Sequence, residues 1–229
     1  MMQESIYPLV EGRTYRIGDL RAAETALLAE RQADQDLSSR LRVQERIDIE
    51  WAKLRNEEWL PLMLLADGLR LDPSDTFRWT PAGAADFVVS AGTRTLNVQC
   101  TMAYDEPADA NYHGGHLHHL EMKHQRDNGF YFGGGKISEP NALDVVEQLA
   151  SWRTGIRSAV EAKLAKTSYA GQELDLLVYA RMCSFDLIDF SLEEVAGPVL
   201  ETIGKNRWGQ AFANIYIVDN KEFMRVVRE

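Results

Sequence analysis

Asp86 and Gln99 are spaced so that a short hairpin brings them together. Successive side chains of a strand point to opposite faces. In Thr95–Ala103, Leu96, Val98, Cys100 and Met102 therefore face an apolar layer, while Asn97, Gln99 and Thr101 face the other way. In Ala85–Ser90, Phe87 and Val89 share one face, and Asp86, Val88 and Ser90 share the other. A two-residue turn at Gly92-Thr93, of the type with glycine first, places Asp86 directly opposite Gln99. Asp86 and the three polar side chains of the second strand then occupy a single patch. That is an odd way to build a core and a reasonable way to build a polar site.

Two helical residues are candidates to reach such a patch. Glu58 falls in the middle of the apolar stripe Ile47, Trp51, Leu54, Leu62 and Leu65, read at ~3.6 residues per turn. An unpartnered carboxylate facing a core costs on the order of several kcal/mol. Glu58 therefore has a partner, or the helix turns it to solvent at Pro61, with Glu50 and Glu57 as fallbacks. Lys163 continues the stripe of Val145, Leu149, Trp152, Ile156 and Val160. It is either a lysine snorkelling at a helix end or a cation reaching the patch, and Lys166 is the weaker candidate for that role. All five histidines, 113, 116, 118, 119 and 124, crowd one Gly-rich polar stretch. It contains no H-E-x-x-H and no cysteine pair. His116 and His119 share a face if the stretch is helical. Three readings stay open: a metal site, a loop in which histidine with Lys123 or Arg126 meets phosphates, and a solvated loop. Gly133–Gly135 lacks the Gly-Lys-Ser/Thr of a nucleotide-binding loop.

The elements that must position these residues follow from periodicity and punctuation. The stretch to Arg16, with Pro8 and Gly12 as breakers, is expected to be irregular. Asp19 is placed to cap a helix running to about Ala33, and Asp36, Ser38 or Ser39 to cap a longer one ending at Asp67-Gly68. Pro61 should kink that helix or begin a new turn. Alternation then predicts strands at Phe77–Thr80, Ala85–Ser90 and Thr95–Ala103. Asn141 precedes a long helical pattern from Ala142 to about Lys166. Leu174–Met182 and Phe212–Val218 read as buried strands, Leu187–Ile203 as a helix, and Phe223–Val227 as a short edge strand. This order implies an α/β fold, a mixed central sheet flanked by helices.

The chain of 229 residues shows no break in composition, which favours a single domain. No apolar run approaches the ~20 residues of a membrane span. The opening segment lacks a basic stretch followed by an apolar one, so no signal peptide is expected. Cys100 and Cys183 sit in apolar runs and are expected as free thiols in a reducing cytoplasm. With 25 basic and 35 acidic residues, net −10, broad affinity for nucleic acid is not expected, although a local basic groove is compatible.

Ala85-Asp86-Phe-Val-Val, a short turn, and Leu96-Asn-Val-Gln99-Cys-Thr101 together resemble the hairpin of PD-(D/E)XK nucleases, the restriction-endonuclease-like fold. The resemblance spans about residues 45–220, with 1–44 as an N-terminal helical extension. It departs from the family pattern at Ala85 in place of Pro, at Gln99 in the acid-or-Gln position, and at Thr101 in place of Lys. It implies a divalent-metal-dependent nuclease acting on DNA or RNA. Asp86, Gln99 and Glu58 would hold Mg²⁺ or Mn²⁺, with Lys163 replacing the strand lysine. Thr101, His116, His119 and Lys123 would be candidate substrate contacts. The departures leave open a decayed site serving as a binding or regulatory module, with a protein partner as readily as nucleic acid, and a homodimer is compatible with either reading.

Overall fold

The computed structural model describes residues 10–23, 25, 58–103, 145–169, 172–180, 190–219 and 222–228. Seven strands form one sheet in the order β1 to β7, the order in which they occur in the chain. They are β1 (Thr14–Arg16), β2 (Thr76–Trp79), β3 (Phe87–Ala91), β4 (Arg94–Ala103), β5 (Leu174–Ala180), β6 (Phe212–Val218) and β7 (Phe223–Val227). The pairs from β1 to β4 are antiparallel, β4–β5 and β5–β6 are parallel, and β6–β7 is antiparallel. Parallel neighbours need long crossovers. Helix α2 (Val145–Leu164) lies in the β4–β5 crossover, and α3 (Leu192–Ile203) with the short α4 (Lys205–Trp208) in the β5–β6 crossover. Helix α1 (Leu60–Gly68) precedes β2.

The core is divided by the sheet. On one face α1 packs Leu62, Leu65 and Ala66 with Phe77, Phe87, Val89, Val98, Cys100, Leu177 and Tyr216. On the other, Trp152, Ile156 and Val160 of α2 and the apolar face of α3 pack with Leu176, Val178, Ile215 and Ile217. Strand β5 is buried at every position, as a continuous apolar run covered on both faces should be.

Several expectations need correction at their ends. The stretch before Ile17 is not wholly irregular: Thr14–Arg16 pairs with Arg78–Thr76, so part of the expected helical extension belongs to the sheet. Strand β7 lies at the other edge of the sheet, as expected. Asp19 does not start its helix, since residues 17–23 are already helical, and its carboxylate instead binds Arg16 at 2.7 Å. Pro61 does begin a turn. It lies in the first turn of α1, where a missing N–H is tolerated, just after a π-helical turn at 58–59. Helix α3 starts at Leu192, behind a capping box in which Ser191 and Glu194 satisfy each other's backbone N–H.

Candidate functional site

Asp86 is delivered by the connection between β2 and β3. Thr80 closes that loop twice: its N–H donates to Asp86 O and its hydroxyl to Ala85 O, both at 2.8 Å. The hairpin then turns at Gly92, whose φ of +57° suits the residue without a side chain. The resulting register pairs Phe87 with Val98 and Val88 with Asn97, as the glycine-first turn predicts. Ala85 and Asp86 precede β3 instead of lying within it. The Asp86 N–H donates to Val98 O at 2.9 Å, so the backbone ladder is irregular where Asp86 meets Gln99.

The side chain continues what the backbone ladder leaves off. The Cys100 N–H donates to Asp86 Oδ2 at 2.7 Å, and the Gln99 amide donates to the same oxygen. Gln99 is 5% exposed, so the other end of its amide also needs a partner inside the protein. The Tyr169 hydroxyl provides it, donating to Gln99 Oε1 at 2.9 Å. Tyr169 lies in a 3-10 turn (Thr167–Tyr169) just beyond α2, and its ring sits 6.0 Å from that of Phe212. Asp86, Gln99 and Tyr169 thus form one chain of hydrogen bonds. Tyr169 was not among the sequence candidates: 70 positions separate it from Gln99, and nothing local marks it.

Electrostatics extend the group. Burial pushes the Asp86 carboxyl above its ordinary value, opposed by the Cys100 N–H, by Lys163 and Lys166, and by the Gln99 amide. Lys163 is half-buried near the end of α2. Glu58 approaches from the opposite face of the sheet. Its Oε2 accepts from Trp79 Nε1 at 2.5 Å, and Trp79, paired with Phe87, packs on the α1 side. Glu58 thus has a partner within the protein, the indole N–H. Cys100 records both approaches: burial first, then the charges of Asp86 and Glu58, raise its thiol far above normal, against Lys163. Thr101, half-buried and paired with Val178, lies on the Gln99 face. Cys100 is a buried free thiol. His116, His119, Lys123, Glu50, Glu57 and Cys183 lie outside the described residues.

A hard divalent cation such as Mg²⁺ takes oxygen ligands, commonly one or two carboxylates, and completes its shell with water and substrate phosphates. Asp86 Oδ1 receives no hydrogen bond among the described residues and is an oxygen of that kind. The adjoining Gln99 amide presents Nε2 to Asp86 and Oε1 to Tyr169. An amide turned about its last bond exchanges the two, and a tyrosine hydroxyl accepts as readily as it donates. Among the described residues no group of three or more His, Cys, Asp or Glu is gathered for a closed metal cage. Asp86 Oδ1, with the Gln99 amide turned, is the oxygen set that a cation shared with substrate would take here. No described helix is long and apolar enough to cross a membrane. Comparison with family models, with curated proteins and with solved structures returned no match.

Proposed function

We propose that this protein is a nuclease-like enzyme that hydrolyses phosphodiesters with the help of a divalent metal, Mg²⁺ or Mn²⁺, held at Asp86. The observation that carries this reading is the direct contact between the Asp86 carboxylate, just ahead of β3, and the Gln99 amide on β4, within reach of the charges of Lys163 and Lys166. The order of a helix, three antiparallel strands, a long helix, a parallel strand, a helix and a further parallel strand supports the restriction-endonuclease-like assignment.

When bound, the cation would polarise the phosphodiester and supply an activated water. The chain's own part is positional and electrostatic. Asp86 offers Oδ1 while its Oδ2 is held by the Cys100 N–H. With its amide turned from the orientation seen here, Gln99 would offer the second oxygen and donate through Nε2 to the Tyr169 hydroxyl. Lys163 offsets negative charge on the phosphate, the role the missing strand lysine would have had at Thr101. Glu58, tied to Trp79, bears on the site through its charge. Cleavage of a labelled oligonucleotide in Mn²⁺ should fall at least about 100-fold in Asp86→Ala, the usual scale for losing a central electrostatic group. Full activity in that variant would remove the assignment.

A second reading is favoured by one observation: Gln99 turns its N–H groups, not its carbonyl, toward Asp86. In that reading the network is a closed structural link, and the fold serves as a binding or regulatory module. Absence of both cleavage and calorimetric Mn²⁺ binding in the wild type would select it.

A further inference from the structure

Lys166 is exposed, yet it is not loose. Its ammonium sits 5.7 Å from the centroid of the Tyr169 ring. The ring is itself fixed at both ends, by Phe212 and by the hydroxyl bond to Gln99. No carboxylate pairs with Lys166 among the described residues. A cation held by an aromatic face keeps its full charge, whereas one held by a carboxylate is neutralised. Lysines are favoured near helix C-termini in any protein, which accounts for Lys163. It does not account for an aromatic seat under the next lysine.

We propose that Lys166, seated on Tyr169, is a phosphate contact for a polynucleotide lying across the α2 side of the hairpin, and that it acts without a metal. The choice of polynucleotide rests on the nuclease-like reading of Asp86 and Gln99. The geometry adds a second, ordered positive charge beside that site, on the same turn of chain as Lys163. A pre-ordered side chain loses less freedom on binding than a free lysine does. The net charge of −10 makes such local cations the means by which this chain can hold a polyanion at all.

The test is fluorescence anisotropy with labelled single-stranded and duplex 20-mers in EDTA, over a salt series. Lys166→Gln should weaken binding about threefold to tenfold at low salt and flatten the log–log salt slope by about 0.7 to 0.9. Tyr169→Phe keeps the ring and its contact with Phe212 but loses the hydroxyl anchor, and should fall between wild type and Lys166→Gln, whereas Tyr169→Leu should resemble Lys166→Gln. Lys205→Gln, an exposed lysine on α4, is the control and should bind like wild type. Failure of the wild type to bind either oligonucleotide, or an unchanged affinity and slope in Lys166→Gln, overturns the proposal. The catalytic reading is judged separately, because Asp86→Ala should retain binding in EDTA while losing cleavage in Mn²⁺. Binding that depends on Lys166 without any cleavage would leave this contact standing and remove the enzyme.

Discussion

Each link of the Asp86–Gln99–Tyr169 chain has its own expected cost. Tyr169→Phe keeps the packing against Phe212 but leaves Gln99 Oε1 buried without a donor. The expected loss is about 1–3 kcal/mol of stability, read by urea denaturation. Glu58→Ala leaves the Trp79 indole without its carboxylate acceptor, and a bond to a charged group contributes about 1.5–3 kcal/mol. Glu58→Gln should recover part of that loss, because an amide oxygen can still accept. At this scale Asp86 and Gln99 were legible because alternation and one turn fix both their face and their register. Tyr169 was not, because its partner is set by where the chain goes after α2. Glu58 was read as either partnered or turned to solvent at Pro61, and the partner expected from the resemblance was a metal shared with Asp86. That the partner is an indole on β2 depends on packing that no helical stripe encodes.

Elements were read well where one period ran undisturbed. The bounds of β6 and β7 were anticipated residue for residue, since both are rich in β-branched and aromatic side chains, and β4 within one position, since it alternates apolar and polar side chains. Strand β1 escaped notice because three residues between a turn and a helix carry too little pattern, and only pairing with β2 makes them a strand. The start of α3 was misplaced although Ser191 and Glu194 spell a capping box. Ser191→Ala should cost about 0.5–2 kcal/mol, seen as a lower urea midpoint at unchanged slope. Helix α1 is held by close contact as well. A Cβ built on Gly68 would come within 2.2 Å of the Phe223 ring, so Gly68→Ala must displace that ring or the helix end. The expected penalty is about 1–3 kcal/mol, and a variant as stable as wild type would show that the contact gives way easily.

Over the whole molecule, buried carboxyls give stability a definite slope with pH. Asp86 and Asp175 both lie above the ordinary carboxylate value of 3.8, in each case chiefly through burial. A carboxyl with a raised folded pKa binds its proton more tightly in the native state. Its contribution is therefore most favourable below the unfolded pKa and declines as pH rises through the folded one. Asp19, Asp72 and Glu194, exposed and lowered by local hydrogen bonds, work in the opposite sense as pH falls through their lowered values. Asp86→Asn keeps an acceptor for the Cys100 N–H and removes one of the two raised groups. Its stability profile above about pH 4 should be flatter than that of the wild type, with Asp175 supplying the remaining decline. Parallel profiles for the two proteins would show that Asp86 titrates normally.

The contact between Gly68 and Phe223 also has a bearing on synthesis. Helix α1, which follows directly on Glu58, rests against a strand that is translated after every other strand of the sheet. On the ribosome, the hairpin with Asp86 and Gln99 emerges long before Tyr169, and Tyr169 long before Phe223. The polar chain can close as soon as Tyr169 has arrived, but α1 is without its last packing surface until β7 has cleared the exit tunnel. A chain stalled or clipped ahead of Phe223 would therefore carry the Asp86–Gln99–Tyr169 link on one face of the sheet and, on the other, a helix that lacks its last packing surface. Its lapse would be felt first on the Glu58 side of the sheet.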